Sequence, residues 1–216
     1  EAEKSIRRAM RRKRPVFVWG PPGIGKSDLM EQITGSFKNG WLIDLRMALM
    51  EPTDLRGIPY YNQAANTMSW AHPVDLPTAE QAAEHDIVIL FLDELNSAPM
   101  ATQAAAYQLV LNGRIGTYKL PDNCVIVAAG NRETDRGVTY RMPSPLANRF
   151  VHVEVAADFD TWQEWAVDNQ IHPDVLGYLT FSKNDLYNFD PGSNERSFAT
   201  PRSWVFVSEL LQEEDG

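Results

Sequence analysis

With 216 residues, 44% of them hydrophobic, the chain is long enough for one or two globular domains with a sizeable core. Its formal net charge of −9 excludes a surface that binds nucleic acid all over. No apolar run reaches the ~18 residues of a membrane-spanning helix, and no apolar stretch follows the basic N-terminus, so neither a span nor a secretory leader is expected. The first residue is Glu1 rather than Met, so the native start is expected to lie upstream. The lone cysteine, Cys124, allows no intrachain disulfide, which fits a reducing, cytoplasmic location. It opens an apolar run and reads as core rather than catalyst.

In chain order, Lys4, Arg7, Arg8, Arg11, Arg12, Lys13 and Arg14 stand against only Glu1 and Glu3, a local net of +5 that leaves −14 for the remainder. Residues 5–14 read as a short basic helix ended by Pro15. Such a helix is solvated, faces an acidic neighbouring subunit, or touches nucleic acid or phosphates. Residues 16–19 form an apolar, β-prone run, and residues 27–37 carry Leu29, Met30 and Ile33 at helical spacing. Residues 41–45 read as a second strand. Tyr60-Tyr61 and Met68-Ser69-Trp70 flank a polar stretch, the pattern of a β-hairpin. Residues 78–84 form a short helix opened by Pro77 and Thr78.

Residues 86–94 form the strongest strand of the chain. Its unbroken apolar run implies burial on both faces, as in a parallel sheet. An Ala-rich helix over 101–111, a second hairpin bracketed by Asn112-Gly113 and Gly116, and a buried strand over 124–129 follow. Residues 144–149 are a short helical piece and 151–155 a fifth strand. Strands alternating with helices predict an α/β fold with a five-stranded parallel sheet. Beyond about Ala157 the pattern turns helical, over 161–169, 173–179 and 202–212. A polar loop over 188–199, containing Pro191-Gly192, interrupts it, and Thr200-Pro201 caps the last helix. The expected division is residues 1–157 as the α/β domain and 158–216 as a small helical domain.

The chemistry centres on Gly20-Pro21-Pro22-Gly23-Ile24-Gly25-Lys26-Ser27, which reads G-x-x-x-x-G-K-[ST] between a strand and a helix, the phosphate-binding loop. Glycines let backbone N–H groups turn toward phosphates, and the helix N-terminus adds a favourable dipole. Lys26 reaches the β- and γ-phosphates of a nucleotide, and the Ser27 hydroxyl is a Mg²⁺ ligand. Asp93-Glu94 ends the strongest strand. Asp-Glu pairs also open ordinary loops, but after a buried strand and an upstream phosphate loop Asp93 reads as a second group that holds Mg²⁺, directly or through water, and Glu94 as a general base or as the group that orients the attacking water. Asn131, after the next strand, is placed to hold the attacking water or the γ-phosphate. Arg149 and Arg202, each an ordinary surface arginine in isolation, precede the fifth strand and open the last helix.

The order of these motifs resembles the AAA+ ATPases, and most of all their MoxR branch. Walker A is matched by residues 20–27 and Walker B by residues 89–94. Sensor 1 is matched by Asn131, the arginine finger by Arg149 in Asn-Arg-Phe, and sensor 2 by Arg202 in Thr-Pro-Arg-Ser. Residues 54–57 with the hairpin after them resemble the helix-2 insert, and residues 113–120 the hairpin before sensor 1. The resemblance implies a five-stranded sheet domain under a helical lid with ATP and Mg²⁺ at the joint. It also implies a hexameric ring and a chaperone-like role on a protein partner, often one with a von Willebrand factor A domain. The alternative is a phage-type or nucleic-acid-processing motor, with the basic N-terminus or the hairpins on DNA; a scaffold with negligible turnover is disfavoured by the intact Lys26, Asp93, Glu94 and Arg149. Two features depart from the family: Asn148 stands where the family often has Asp, and the lid is short, as though a final helix were missing.

Overall fold

The structure, a computed structural model, describes residues 1–135, 140, 142–190, 192 and 197–214. Residues 191 and 193–196 of the expected polar loop therefore lie outside the described residues.

The first helix, α1 (Ala2–Arg11), buries Ile6, Ala9 and Met10, spaced three and four apart so that they share one face. It starts and stops three residues earlier than the sequence reading of 5–14. Lys13 adopts a left-handed backbone (φ 52) that turns the chain into the next strand, so the helix cannot run on to Pro15. Then follow β1 (Val16–Trp19), α2 (Lys26–Gly35), β2 (Gly40–Arg46) and the short α3 (Pro52–Arg56). The expected hairpin is β3 (Ile58–Asn62) against β4 (Thr67–Ala71), and Thr78 caps α4 (Ala79–Ala83) through the Gln81 N–H. The buried strand β5 (Ile87–Asp93), α5 (Met100–Asn112), the small ribbon β6 (Arg114–Ile115) and β7 (Tyr118–Lys119), and β8 (Cys124–Gly130) complete the middle of the chain. A single turn of helix, α6 (Ser144–Ala147), leads into β9 (Val151–Glu154), and α7 (Phe159–Asp168), α8 (Pro173–Phe181) and α9 (Pro201–Glu214) end the order.

Five strands form one parallel sheet in the order β2-β5-β8-β1-β9. Strand alternation sends successive side chains to opposite faces, and the core divides accordingly. Phe17, Leu90, Leu92, Ile126 and Ala128 face one side, with α5 against them through Ala105, Ala106 and Leu109. Val16, Val18, Ile89, Phe91, Val125 and Val127 face the other, against α1 and against α2 through Met30 and Ile33. Burial on both faces is what the continuous apolar runs predicted. Cys124 belongs to this core, and burial pushes its thiol up to about 12, so it has no thiolate character at neutral pH. After β9 a separate cluster forms from Phe159, Trp162, Ala166, Val175, Leu179 and Leu186, with Trp204 and Leu211 of α9 packed on it.

Register decides what the sheet presents at its upper end. Trp19 pairs with Gly130, and Leu92 pairs with Ala128. The C-terminal ends of β1, β8 and β5 are thus level and adjacent, and Gly20, Asn131 and Asp93 emerge side by side. Crevices at such strand ends are where parallel α/β sheets bind ligands.

Candidate functional site

The loop from Gly20 to Gly25 leaves β1 and enters α2, whose first residue is Lys26. Gly23 and Gly25 hold positive φ values of 74 and 90, a backbone that L side chains rarely adopt and that turns the loop into the helix. Lys26 Nζ donates to the carbonyls of Gly20 (2.8 Å) and Pro21 (3.1 Å) and to Asn131 Oδ1 (3.0 Å). Burial holds its pKa below the ordinary lysine value; Asp93, Asp135 and Glu94 pull it back up, and Arg202 opposes them.

Ser27 Oγ donates to Asp93 Oδ2 at 3.4 Å, and the Glu94 N–H donates to Asp93 Oδ1 at 2.9 Å. Asp93 is thereby aimed at the loop. Glu94 is exposed and takes a left-handed backbone (φ 54), a strained conformation for a side chain of that size. The turn sends the chain away from β5 and leaves the Glu94 carboxylate accessible. Among the described residues no cluster of three or more His, Cys, Asp or Glu side chains is disposed to hold a metal by itself. A hydroxyl and one carboxylate side by side suit Mg²⁺, which takes few protein ligands and completes its shell with water and phosphate oxygens.

Two residues at this edge escaped the sequence reading. Asp135, 6% exposed, accepts from the Arg132 backbone N–H at 2.9 Å, faces the Arg132 guanidinium at 3.3 Å, and lies near enough to raise the pKa of Lys26. Asn96, 2% exposed, donates from Nδ2 to the Asn131 carbonyl at 2.7 Å. No spacing rule marks either, because each acts on a partner brought close only by the sheet.

The C-terminal helices reach back to the loop. The Tyr187 hydroxyl donates to the Pro22 carbonyl at 3.2 Å, and burial pushes its pKa up to about 12, so the donor persists through neutral pH. Thr200 caps α9 by accepting the Ser203 N–H at 3.0 Å, and its side chain lies where a Cβ on Gly23 would stand, 2.9 Å away. These contacts bring Arg202, in the first turn of α9, close enough to influence Lys26.

Arg149 is elsewhere. It precedes β9, whose Val151 pairs with Val16 and donates to the Pro15 carbonyl at 2.8 Å. That is the opposite end of the sheet, a strand length of about 13 Å away at ~3.3 Å per residue. Arg149 is exposed there, and with Lys13 and Arg14 it lines a cavity of about 240 Å³. Of the candidate site residues, Lys26, Ser27, Asp93, Glu94, Asn131 and Arg202 gather around the loop of their own chain, and Arg149, for which the resemblance implies a role at a neighbour's nucleotide, lies apart from them.

A glycine loop, an acidic strand end and an asparagine meeting at the level ends of three parallel strands define a P-loop nucleotide-binding protein. More narrowly, the chain belongs to the AAA+ ATPases: the sequence model of the AAA domain (dynein-related subfamily) matches residues 15–150. It is 28% identical over 192 residues to midasin from Giardia intestinalis, covering 84% of this chain and 4% of that protein. Its fold is similar to that of NtrX from Brucella abortus in complex with ADP (TM-score 0.59, 19% identity, 99% of this chain and 48% of that one). It is also similar to that of a RuvB variant from Thermotoga maritima (TM-score 0.54, 17% identity, 98% of this chain and 61% of that one). The chain thus spans a small fraction of the curated relative and about half of these solved chains. No described helix is long and apolar enough to cross a membrane.

Proposed function

We propose that this chain is a ring-forming, cytoplasmic ATPase of the MoxR branch that hydrolyses ATP to ADP and phosphate and uses the cycle to remodel a protein partner, one with a von Willebrand factor A domain. The observation that carries the reading is the convergence of Lys26, Asn131, Ser27 and Asp93, with Lys26 Nζ 3.0 Å from Asn131 Oδ1 and Ser27 Oγ 3.4 Å from Asp93 Oδ2. In this reading Gly20, Pro21, Pro22, Gly23, Ile24 and Gly25 wrap the phosphates, and Lys26 meets the β- and γ-phosphates. Ser27 and Asp93 hold Mg²⁺, which supplies charge neutralisation on the phosphate oxygens. Glu94 takes a proton from the water whose oxygen attacks the γ-phosphorus, Asn131 orients that water or the γ-phosphate, and ADP departs. Residues 158–216 act as a lid on residues 1–157, with Arg202 as its contact to the γ-phosphate, a role favoured by the seating of Tyr187 and Thr200 on the loop. Arg149 serves the nucleotide of a neighbouring subunit.

The test is phosphate release as a function of protein concentration, with oligomer size followed in parallel. A rate per subunit that climbs as rings assemble supports the reading; no release at any concentration removes it. The competing motor reading draws on the exposed cations of the α1 segment, and strong stimulation of hydrolysis by DNA would favour it instead.

Two substitutions test the near site. Lys26→Ala is expected to abolish tight ATP binding by removing the point charge on the β- and γ-phosphates; titration with a fluorescent ATP analogue reads this, and an unchanged affinity would remove the loop from the site. Arg202→Ala is expected to weaken nucleotide binding and to uncouple the lid. The check is ATP affinity together with protection of the α9 segment from proteolysis on ATP addition. Protection equal to that of the parent chain would exclude Arg202 as the lid contact.

A further inference from the structure

We infer that Asn96 is a positioning residue of the hydrolytic site: it holds the backbone of Asn131 so that the Asn131 side chain meets Lys26 and the γ-phosphate. The inference rests on the ATPase reading above and adds to it a residue that touches neither nucleotide nor metal.

The chain path explains how Asn96 gets there. Glu94 bends out of β5 in its left-handed conformation, and a single tight turn over Leu95–Ser97 follows. That turn swings Asn96 back beneath the end of β8 rather than into solvent. β8 ends at Gly130, so Asn131 lies just past the last strand position. Its carbonyl accepts the Asn96 Nδ2–H at 2.7 Å, while its side-chain oxygen accepts the Lys26 ammonium at 3.0 Å. The main chain of Asn131 is therefore fixed from one side and its side chain is used on the other. Asn96 is itself anchored, since its own carbonyl accepts the Tyr140 N–H at 2.7 Å.

The choice of residue is costly, which argues against a merely structural role. Asn96 Oδ1 is buried without a hydrogen-bond partner. An apolar side chain of similar volume would avoid that orphaned oxygen but would leave the Asn131 carbonyl unbound. An aspartate would keep the shape but present a carboxylate to that carbonyl, because only the amide carries the N–H donor. The space is also specific: a Cβ built on Gly130 would overlap Asn96 Oδ1 and crowd the Phe17 ring, so residue 130 must be glycine for Asn96 to sit there. A buried polar group kept with one atom unsatisfied, next to the residues that would handle the γ-phosphate, points to function.

The experiment is a double-mutant cycle on the full chain. Asn96→Leu should keep ATP affinity close to the parent, fold with a modestly lower melting temperature, and lower kcat ~10-fold, the factor equivalent to one lost hydrogen bond. In an Asn131→Ala background the same substitution should cost nothing further in kcat, because the side chain it positions is gone. An equal cost in both backgrounds overturns the inference, and so does a loss of ATP affinity that tracks a fall in melting temperature. Should Asn96→Leu not fold, Asn96→Asp serves in its place; failure of both to fold assigns Asn96 to stability and also overturns it. If the parent chain hydrolyses no ATP, the ATPase reading fails first. If the parent hydrolyses ATP but Asn131→Ala turns over normally, the reading stands and the Asn96 inference alone is lost.

Discussion

Arg149→Ala is expected to bind ATP almost as the parent chain does and to hydrolyse it ~10³–10⁵ times more slowly, the range for arginines that stabilise a transferring phosphoryl group. The split between binding and turnover follows from position. Arg149 lies at the end of the sheet opposite the phosphate loop, exposed, beside Lys13 and Arg14. It therefore has no reach to the nucleotide bound by its own chain, and any effect on hydrolysis must pass to a neighbour. Mixing supplies the second half of the test. A Glu94→Gln subunit keeps its Arg149 and can lend it to the intact Glu94 of an Arg149→Ala neighbour. Phosphate release should pass through a maximum as the two variants are mixed. If subunits exchange and no mixture exceeds the sum of the separate activities, Arg149 does not act in trans.

Glu94→Gln is the next largest effect: turnover should fall ~10²–10⁴-fold, the usual worth of a general base, with ATP and Mg²⁺ binding retained. The amide keeps the volume of the side chain and the left-handed turn that carries it, and it does not disturb Asp93, which is held by the Glu94 backbone N–H rather than by its side chain. Single-turnover hydrolysis alongside equilibrium binding separates the two quantities. Lost affinity with an undiminished rate per bound nucleotide would mean that Glu94 belongs to binding and not to proton transfer.

Much of the fold was legible because its signals are local. The unbroken apolar runs before Asp93 and from Cys124 onward are short, rich in β-branched residues and bounded by polar residues, which reads as strands buried on both faces. The charge pattern places the first helix three residues late because its cations run past its end: charge marks an exposed face, whereas the stop is set by the left-handed Lys13 and by the need to seat Ile6, Ala9 and Met10 on the sheet. The near site was legible in outline, as a loop and an acidic pair in sequence order. Asn96 and Asp135 were not, since an asparagine three residues after an acidic strand end and an aspartate four after Asn131 match no spacing that chemistry requires.

What the sequence by itself determined is the set of local conformations: glycines that admit the phosphate loop, apolar runs that make strands, and a Thr-Pro start to the last helix. These depend on neighbours along the chain. The tertiary structure alone decided which of these pieces meet. The order β2-β5-β8-β1-β9 lays β8 between β5 and β1, and so brings Asn131 to Lys26 across 105 residues and Asn96 to Asn131 across 35. The same order puts the start of β9 beside the start of β1, which sets Arg149 at the end of the sheet away from the loop of its own chain. Parallel pairing forces every connection to cross over the sheet, and proximity at its ends is therefore set by strand order and register rather than by separation along the chain.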